Sequence, residues 1–488
     1  MDKKNFNSGG PSLVVFEKGS ARVFSLGSRN QWQIGRKVPG SSPDIPLVSG
    51  AASRDHGSLV QEAGVWYYVE NPANTNGTYY NGKKVPRSQS GKRYRVSLKN
   101  GDLLRIQVSS GEPVAMHFST VCSGGAFDTH PLQGPQTIIG RSGSCQIQIP
   151  LDFVSSTHAR IDCSGGQYIL SDCGSKAGTY LNGQLIGGKA VLRPGDCISL
   201  CGKPLFFLGN SLLMEGAKGA AFHSRTAGGN VVLRANIQTK QVKNNSGSGM
   251  KELIRDIRLE IREGSLVALL GTAGAGKSTV MNCLNGMDLE GVRGTVVYRN
   301  VDLMRNFDQM KHMIGSVPQK KTFHPNFTPE QEFAYAARKR LPPNLSEQEI
   351  QQRVIRTLEM LSMTGVRNVP NSKLSGGEQT RVNVGIELVA DRDLLCLDEP
   401  DQGLSPNYKH ELFRILRDLA HKNGKSVLSI IHDVSEIDMF DQVIMLAKVN
   451  GVGRLAFSGS PADARRYFGT DIQNAYELLE RNPGKYVR

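Results

Sequence analysis

Gly271-Thr272-Ala273-Gly274-Ala275-Gly276-Lys277-Ser278 is a glycine-rich run that ends on a cation and a hydroxyl. Its glycines let successive backbone N–H groups turn to one side and form a nest for anionic oxygens. The spacing G-x-x-x-x-G-K-[ST] suits a nucleotide: Lys277 reaches the β- and γ-phosphates, and the Ser278 hydroxyl ligates Mg²⁺. Gly271, Gly274, Gly276 and Thr279 complete this phosphate-binding set. Farther along, Leu394-Leu395-Cys396-Leu397-Asp398-Glu399-Pro400 presents two adjacent acids. Asp398 is placed to hold the metal, and Glu399 to act as the base that polarises an attacking water. His432 follows as a candidate γ-phosphate sensor, and Val317-Pro318-Gln319 supplies an amide.

These groups need rigid supports. Residues 266–270 and 394–397 are short apolar runs without helical period, which suit buried parallel strands. Residues 426–431 form a third such run that delivers His432. A helix starting near Lys277 would aim its positive dipole end at the phosphates. Together these elements predict an α/β P-loop domain.

Between the phosphate loop and the acids lies Leu374-Ser375-Gly376-Gly377-Glu378-Gln379. With that order of motifs, residues from about 231 to 469 resemble an ABC transporter nucleotide-binding domain. The resemblance implies that Gln319 contacts Mg²⁺ and water, that His432 is the switch histidine, and that Ser375 and Gly377 bind the γ-phosphate of ATP held by a second subunit. Lys277, Gln319, Glu399 and His432 would then be the catalytic set, and Ser278, Gln319 and Asp398 the metal ligands. One phosphate loop and one signature per chain imply an isologous dimer with two ATP molecules between subunits. The stretch Gly453-Arg454-Leu455-Ala456-Phe457-Ser458-Gly459-Ser460-Pro461 resembles the G-type, white-like exporters. Two departures stand out. The family's loop after the acids usually reads E-P-T-S-G-L-D-P; here it is Glu399-Pro400-Asp401-Gln402-Gly403-Leu404-Ser405-Pro406, so Ser405 replaces the aspartate that couples the two sites. No aromatic residue lies between Phe222 and the phosphate loop to stack on adenine, and Val242 is the apolar stand-in.

The N-terminal half repeats itself. Gly35-Arg36, Ser53-Arg54-Asp55-His56, Thr75-Asn76-Gly77-Thr78 and Asn81-Gly82 return as Gly140-Arg141, Ser155-Ser156-Thr157-His158, Gly178-Thr179 and Asn182-Gly183. A period of about 100 residues is a tandem domain rather than a solenoid. Alternating runs such as Val65-Trp66-Tyr67-Tyr68-Val69, punctuated by Gly, Asn and Ser, predict all-β sandwiches. The spacing resembles the forkhead-associated (FHA) domain, which binds phosphothreonine. That resemblance makes Arg36, Ser53, Arg54, Thr75 and Asn76 the phosphopeptide-binding set, with His56 and Asn81 bracing the loops. In the second copy Arg141 and Ser155 remain, but Lys176 and Ala177 stand where Thr75 and Asn76 do. It is expected to bind weakly or to serve as a packing domain.

The fold expected is therefore multidomain: sandwiches at 12–108 and 114–210, a linker at 211–230 (its Gly/Ala-rich stretch beginning at Gly216), and the ATPase domain at 231–488. Residues 109–113 and 244–249 read as loops. Ser346 with Glu349 makes a capping box ahead of a helix carrying Ile350, Val354, Leu358 and Leu361 on one face. The 488 residues carry a net charge of +15. No aromatic–basic stripe accompanies that charge, so a phosphorylated protein or anionic lipid, rather than nucleic acid, is the expected partner. The eight cysteines, Cys122 among them, are expected to be reduced and buried, including Cys197 and Cys201, which lack a second pair for zinc. No apolar run approaches the ~20 residues of a membrane span. G-type exporters carry membrane helices after this domain, so the chain is expected to be a cytosolic fragment, or to be completed by a separate permease, at the cytoplasmic face of the plasma membrane. The leading expectation is an ATP-hydrolysing exporter subunit using ATP and Mg²⁺, regulated by a phosphothreonine protein and its Ser/Thr kinase. A nucleic-acid-linked ATPase and a phosphopeptide scaffold with low activity are the alternatives.

Overall fold

The computed structural model describes residues 11–18, 20–62, 65–86, 94–99, 101–106, 113–119, 127–151, 153–215, 231–243, 249–299, 301–341 and 345–487. The expected linker residues 216–230, residues 109–112 and 244–248 of the expected loops, and Cys122 lie outside them. The chain divides into two compact units, 1–224 and 225–488.

The first unit is all β, and its two halves share one plan. In the first half, a six-stranded sheet containing Ser12–Glu17, Leu103–Ile106 and Val114–Ser119 faces a five-stranded sheet built on Gln31–Arg36, Gly57–Glu62 and Val65–Glu70. The second half repeats both sheets, with Gln136–Gly140, Ala159–Ser164 and Gln167–Asp172 in the five-stranded one. Alternation along Val65–Glu70 sends Trp66 and Tyr68 into the core with Leu13, Ile34 and Phe118. The boundary expected at 114 is corrected. Val114–Ser119 pairs with Ser12–Glu17 on one side and Leu103–Ile106 on the other, so it closes the first sandwich. Likewise Ser211–Glu215 pairs with Phe127–Pro131 and ends the second, where a linker was expected from 211. A closing strand must return beside the opening one to satisfy both sets of backbone groups.

The two halves are fused. Phe16 stacks on Phe206 at 3.8 Å, within a cluster that adds Val14, Leu103, Ala115 and Leu213. Arg105 of the first half donates to Asp196 of the second at 2.9 Å, both buried.

In the second unit, Leu266–Gly271, Ser426–Ile430, Leu394–Asp398 and Ile314–Val317 lie side by side, all parallel. The first two are wholly buried, which explains their unbroken apolar runs. Ser346 and Glu349 form the expected capping box of helix Glu347–Met360, and Ile350, Val354, Leu358 and Leu361 are buried. Among the described residues no helix is long and apolar enough to cross a membrane. The seven cysteines described are free, and burial pushes the Cys197 and Cys201 thiols up to about 12.

Candidate nucleotide and phosphopeptide sites

Parallel strands converge their C-terminal ends on one edge of a sheet, and ligands bind there. Gly271 ends one such strand, and the loop after it bends through left-handed glycines, Gly274 at φ 69° and Gly276 at φ 83°. A side chain on Gly276 would also meet Ile254 at 2.7 Å. Helix Lys277–Leu284 starts immediately after, with no acidic residue in its first turn to oppose an anion. Lys277 Nζ donates to the Gly271 carbonyl at 3.0 Å, folded back over the loop. Ser278 is exposed and Thr279 half-buried on the first turn.

Asp398 ends the strand on the far side of Ser426–Ile430, and Glu399 follows in a left-handed conformation, φ 50°. Such strain in a residue other than glycine persists where the surroundings over-determine it, often at functional sites. Glu399 is clamped from both sides. Its Oε2 accepts from Gln319 Nε2 at 2.9 Å, and its Oε1 meets His432 Nε2 at 2.7 Å. Four residues read from three separate motifs, Gln319, Asp398, Glu399 and His432, are thus one cluster beside Lys277. Burial pulls the Lys277 amine below its ordinary range, against the charges of Glu399 and Asp398. Burial and the Glu399 charge push the Asp398 carboxyl up. Crowded carboxylates of this kind are relieved by a cation. The donors at hand are oxygens, from Ser278, Gln319 and Asp398, which suits Mg²⁺.

Ser375 caps helix Gly376–Leu388 through a capping box with Glu378, its Oγ and Glu378 Oε2 2.8 Å apart. Gly377 is covered by Tyr408, whose Cβ would lie 3.5 Å from a side chain there. Among the described residues no hydrogen bond joins Ser375 or Gly377 to the Lys277–Glu399 cluster. Ser405 caps helix Pro406–His421 without a side-chain bond. Val242 is half-buried in strand Val231–Lys243. Sequence reasoning missed Gln402, whose Oε1 accepts from Gln319 Nε2 at 2.8 Å.

The β unit presents its own site. Arg36 ends a strand and donates its N–H to the Ser53 carbonyl at 2.8 Å. Gly35 beside it is forced: a Cβ would lie 2.0 Å from the Arg54 carbonyl oxygen. Ser53 Oγ accepts from Thr75 N at 3.0 Å, and Asn76 Nδ2 donates to the Ala51 carbonyl at 2.8 Å. Arg54 is exposed, and Arg36 Nε is buried with no hydrogen-bond partner among the described residues. His56 braces the loop as expected: Nδ1 accepts from Ser53 N at 3.2 Å, and Nε2 lies 3.1 Å from Thr78 Oγ1. Asn81 and Asp102 tie the next turn at 2.9 Å. Glu17 was not foreseen. This buried carboxylate accepts from Val48 N at 2.8 Å and Ser49 N at 2.9 Å, and pairs with Arg22, anchoring the serine loop. An acid closing the apolar run Ser-Leu-Val-Val-Phe-Glu was the available signal.

The second copy reproduces the scaffold. Arg141 N binds the Ser155 carbonyl at 2.9 Å, Ser155 Oγ accepts from Lys176 N at 3.2 Å, and His158 Nδ1 accepts from Ser155 N at 3.3 Å. The difference is chemical. Ala177 is buried and has no amide, and the Cys201 thiol binds instead the Phe153 carbonyl at 3.2 Å. Phe153 stands two residues before Ser155, as Ala51 stands before Ser53. Arg141 Nε is also tied to the Val154 carbonyl at 3.2 Å.

Comparison with known proteins follows the same division. Residues 254–402 match the ABC transporter family, and 32–107 and 137–201 match the FHA domain. The chain carries an ABC-type ATPase domain behind two FHA domains. The ABC transporter ATP-binding/permease protein Rv1747 of Mycobacterium tuberculosis is 32% identical over 68% of this chain and 36% of its own length. ABC transporter G family member 17 of Arabidopsis thaliana is 32% identical over 48% of this chain and 36% of its own. The chain thus spans about a third of these relatives. A solved ATP-binding cassette, MJ0796 bound to ADP and Pi, aligns with 47% of this chain and 98% of its own at 23% identity, TM-score 0.40.

Proposed function

We propose that the chain is the ATP-binding and ATP-hydrolysing part of an ABC exporter, working as paired copies and governed by phosphothreonine recognition at its first β-sandwich. The observation that carries the reading is the clamp on Glu399 by Gln319 and His432 beside Lys277 and Asp398. In it, Lys277 and the loop N–H groups bind the polyphosphate, Ser278, Gln319 and Asp398 hold Mg²⁺, and Glu399 takes the proton of the attacking water. Held by those residues, Mg²⁺ would supply positive charge against that of the phosphates. Ser375 and Gly377, unlinked to this cluster, act on the ATP of the partner copy. A permease, in cis or in trans, places the pair at the cytoplasmic face of the plasma membrane, and a Ser/Thr kinase supplies the phosphothreonine. Phosphate release by the full chain should require Mg²⁺ and disappear in Lys277→Ala. Turnover that survives this change, or that persists in EDTA, overturns the reading.

Base selectivity should be loose. An aromatic stack on adenine contributes roughly 0.5–1.5 kcal/mol, and Val242 supplies none. ATP and GTP should therefore bind within about tenfold of each other in competition titrations. A preference beyond about a hundredfold, roughly 2.7 kcal/mol, would show that another group reads the base.

The two sandwiches should be unequal readers. Arg36 keeps an unpaired buried Nε, whereas Arg141 Nε is committed and Asn76 has no counterpart. Arg36→Ala should weaken a phosphothreonine peptide by roughly 1.5–3 kcal/mol, about 10- to 150-fold, and Arg141→Ala should leave affinity within twofold. Calorimetric titration of both variants decides it. Equal losses would make the second site a reader too.

A further inference from the structure

We propose that Gln402 is a positioning residue of the nucleotide site: it fixes which atom of the Gln319 amide is left for the cation. The proposal rests on reading the second unit as a Mg²⁺-dependent ATPase. Gln319 Nε2 donates twice, to Glu399 Oε2 at 2.9 Å and to Gln402 Oε1 at 2.8 Å. Glu399 Oε2 is the acceptor of the first bond, so the NH₂ end of the Gln319 amide faces Glu399. With Gln402 accepting as well, both hydrogens of that NH₂ group are used. Oε1, the one atom of this side chain able to ligate a metal, is then left free of both bonds.

Without Gln402 the amide keeps one tether, and rotation about it carries Oε1 out of register. The backbone supports this arrangement. Glu399 is locked in a left-handed turn, and Gln402 N–H returns to the Glu399 carbonyl at 3.2 Å. The amide acceptor and the catalytic carboxylate therefore project from one short turn, at a fixed spacing. Serine, which the family pattern has at this position, ends two bonds earlier than the glutamine oxygen. The link between Gln319 and the 401–405 loop is thus a property of this chain, in the same loop where Ser405 replaces the coupling aspartate.

The test uses the full chain and Gln402→Met, which keeps the side chain's length and removes its acceptor. ATP is titrated calorimetrically with Mg²⁺ and again in EDTA. The expected result is that the Mg²⁺-dependent gain in ATP affinity falls about three- to tenfold, the scale of one hydrogen bond, while binding in EDTA is unchanged. The Mg²⁺ concentration for half-maximal hydrolysis should rise by the same factor, and Gln402→Ala should behave alike. A merely structural role would weaken binding equally with and without Mg²⁺ and lower the melting temperature, and that pattern overturns the proposal. So does a Mg²⁺-dependent gain within twofold of the wild type. A wild-type chain with no such gain overturns the ATPase reading and the proposal together.

Discussion

Glu399→Gln should cut ATP hydrolysis by about 10²–10⁴-fold, the usual worth of a general base, while ATP still binds. The substitution keeps the shape of the carboxylate. The new amide can accept from Gln319 through its oxygen and lie against His432 through its nitrogen, so the clamp at 2.9 and 2.7 Å survives in outline. The group that takes a proton from water is lost. Lys277 and the helix start at 277, to which the proposed function gives the phosphate contacts, are untouched. One negative charge beside Lys277 and Asp398 also disappears, which favours the polyphosphate anion further. ATP should therefore accumulate unhydrolysed, and with it the paired form. Phosphate release and sizing with and without ATP measure the two consequences. Hydrolysis within threefold of the wild type would remove Glu399 as the base. A monomer at saturating ATP, in a variant that binds but does not turn over, would remove the paired mechanism.

The chemistry of this chain was legible wherever a motif is local. Gly271 to Ser278, Asp398-Glu399 and the paired Gly-Arg and Ser-x-x-His runs announce themselves because each does its work within a few residues. What the sequence concealed depends on long-range pairing. The strand at 114–119 looks like the start of a second domain, because nothing in Val-Ala-Met-His-Phe-Ser says it will lie beside residues 12–17. Gln402 carries no signal in isolation, since its role exists only once Gln319 arrives from 83 positions away. Glu17 is similar: its worth lies in Val48 and Ser49, across 31 and 32 positions. The replacement of Asn76 by Ala177 was visible, but not the answer to it. The Cys201 thiol reaches the corresponding carbonyl from 48 positions away, and it turns a missing ligand contact into a closed, self-satisfied loop.

Acid should loosen the first β-sandwich. His56 is fully buried and uses both ring nitrogens: Nδ1 accepts from Ser53 N–H, so the proton sits on Nε2 and is donated to Thr78. Only the neutral ring can do this. Burial accordingly lowers its pKa from 6.5 to about 4, against the opposing pull of Glu70 and Asp55. The unfolded chain binds a proton at this histidine below about pH 6.5 while the folded chain refuses it until about pH 4. Between those limits the unfolded state holds more protons, so stability falls as pH falls. Over about 2.5 units, at 1.36 kcal/mol each, the loss is about 3 kcal/mol, a large part of the 5–15 kcal/mol that holds a domain together. Burial lowers His117 in the same direction, also to about 4, and adds to the effect. Ser53 is the group released when the His56 bond breaks, so phosphopeptide binding should fail with stability. The measurement is simple in the full chain, because its two tryptophans, Trp32 and Trp66, both lie in this sandwich. Urea titrations followed by tryptophan fluorescence should show the midpoint dropping steeply from pH 7 to pH 4.5. His56→Gln, which keeps an acceptor and a donor but cannot titrate, should flatten that slope. An unchanged slope in His56→Gln would place the acid sensitivity elsewhere.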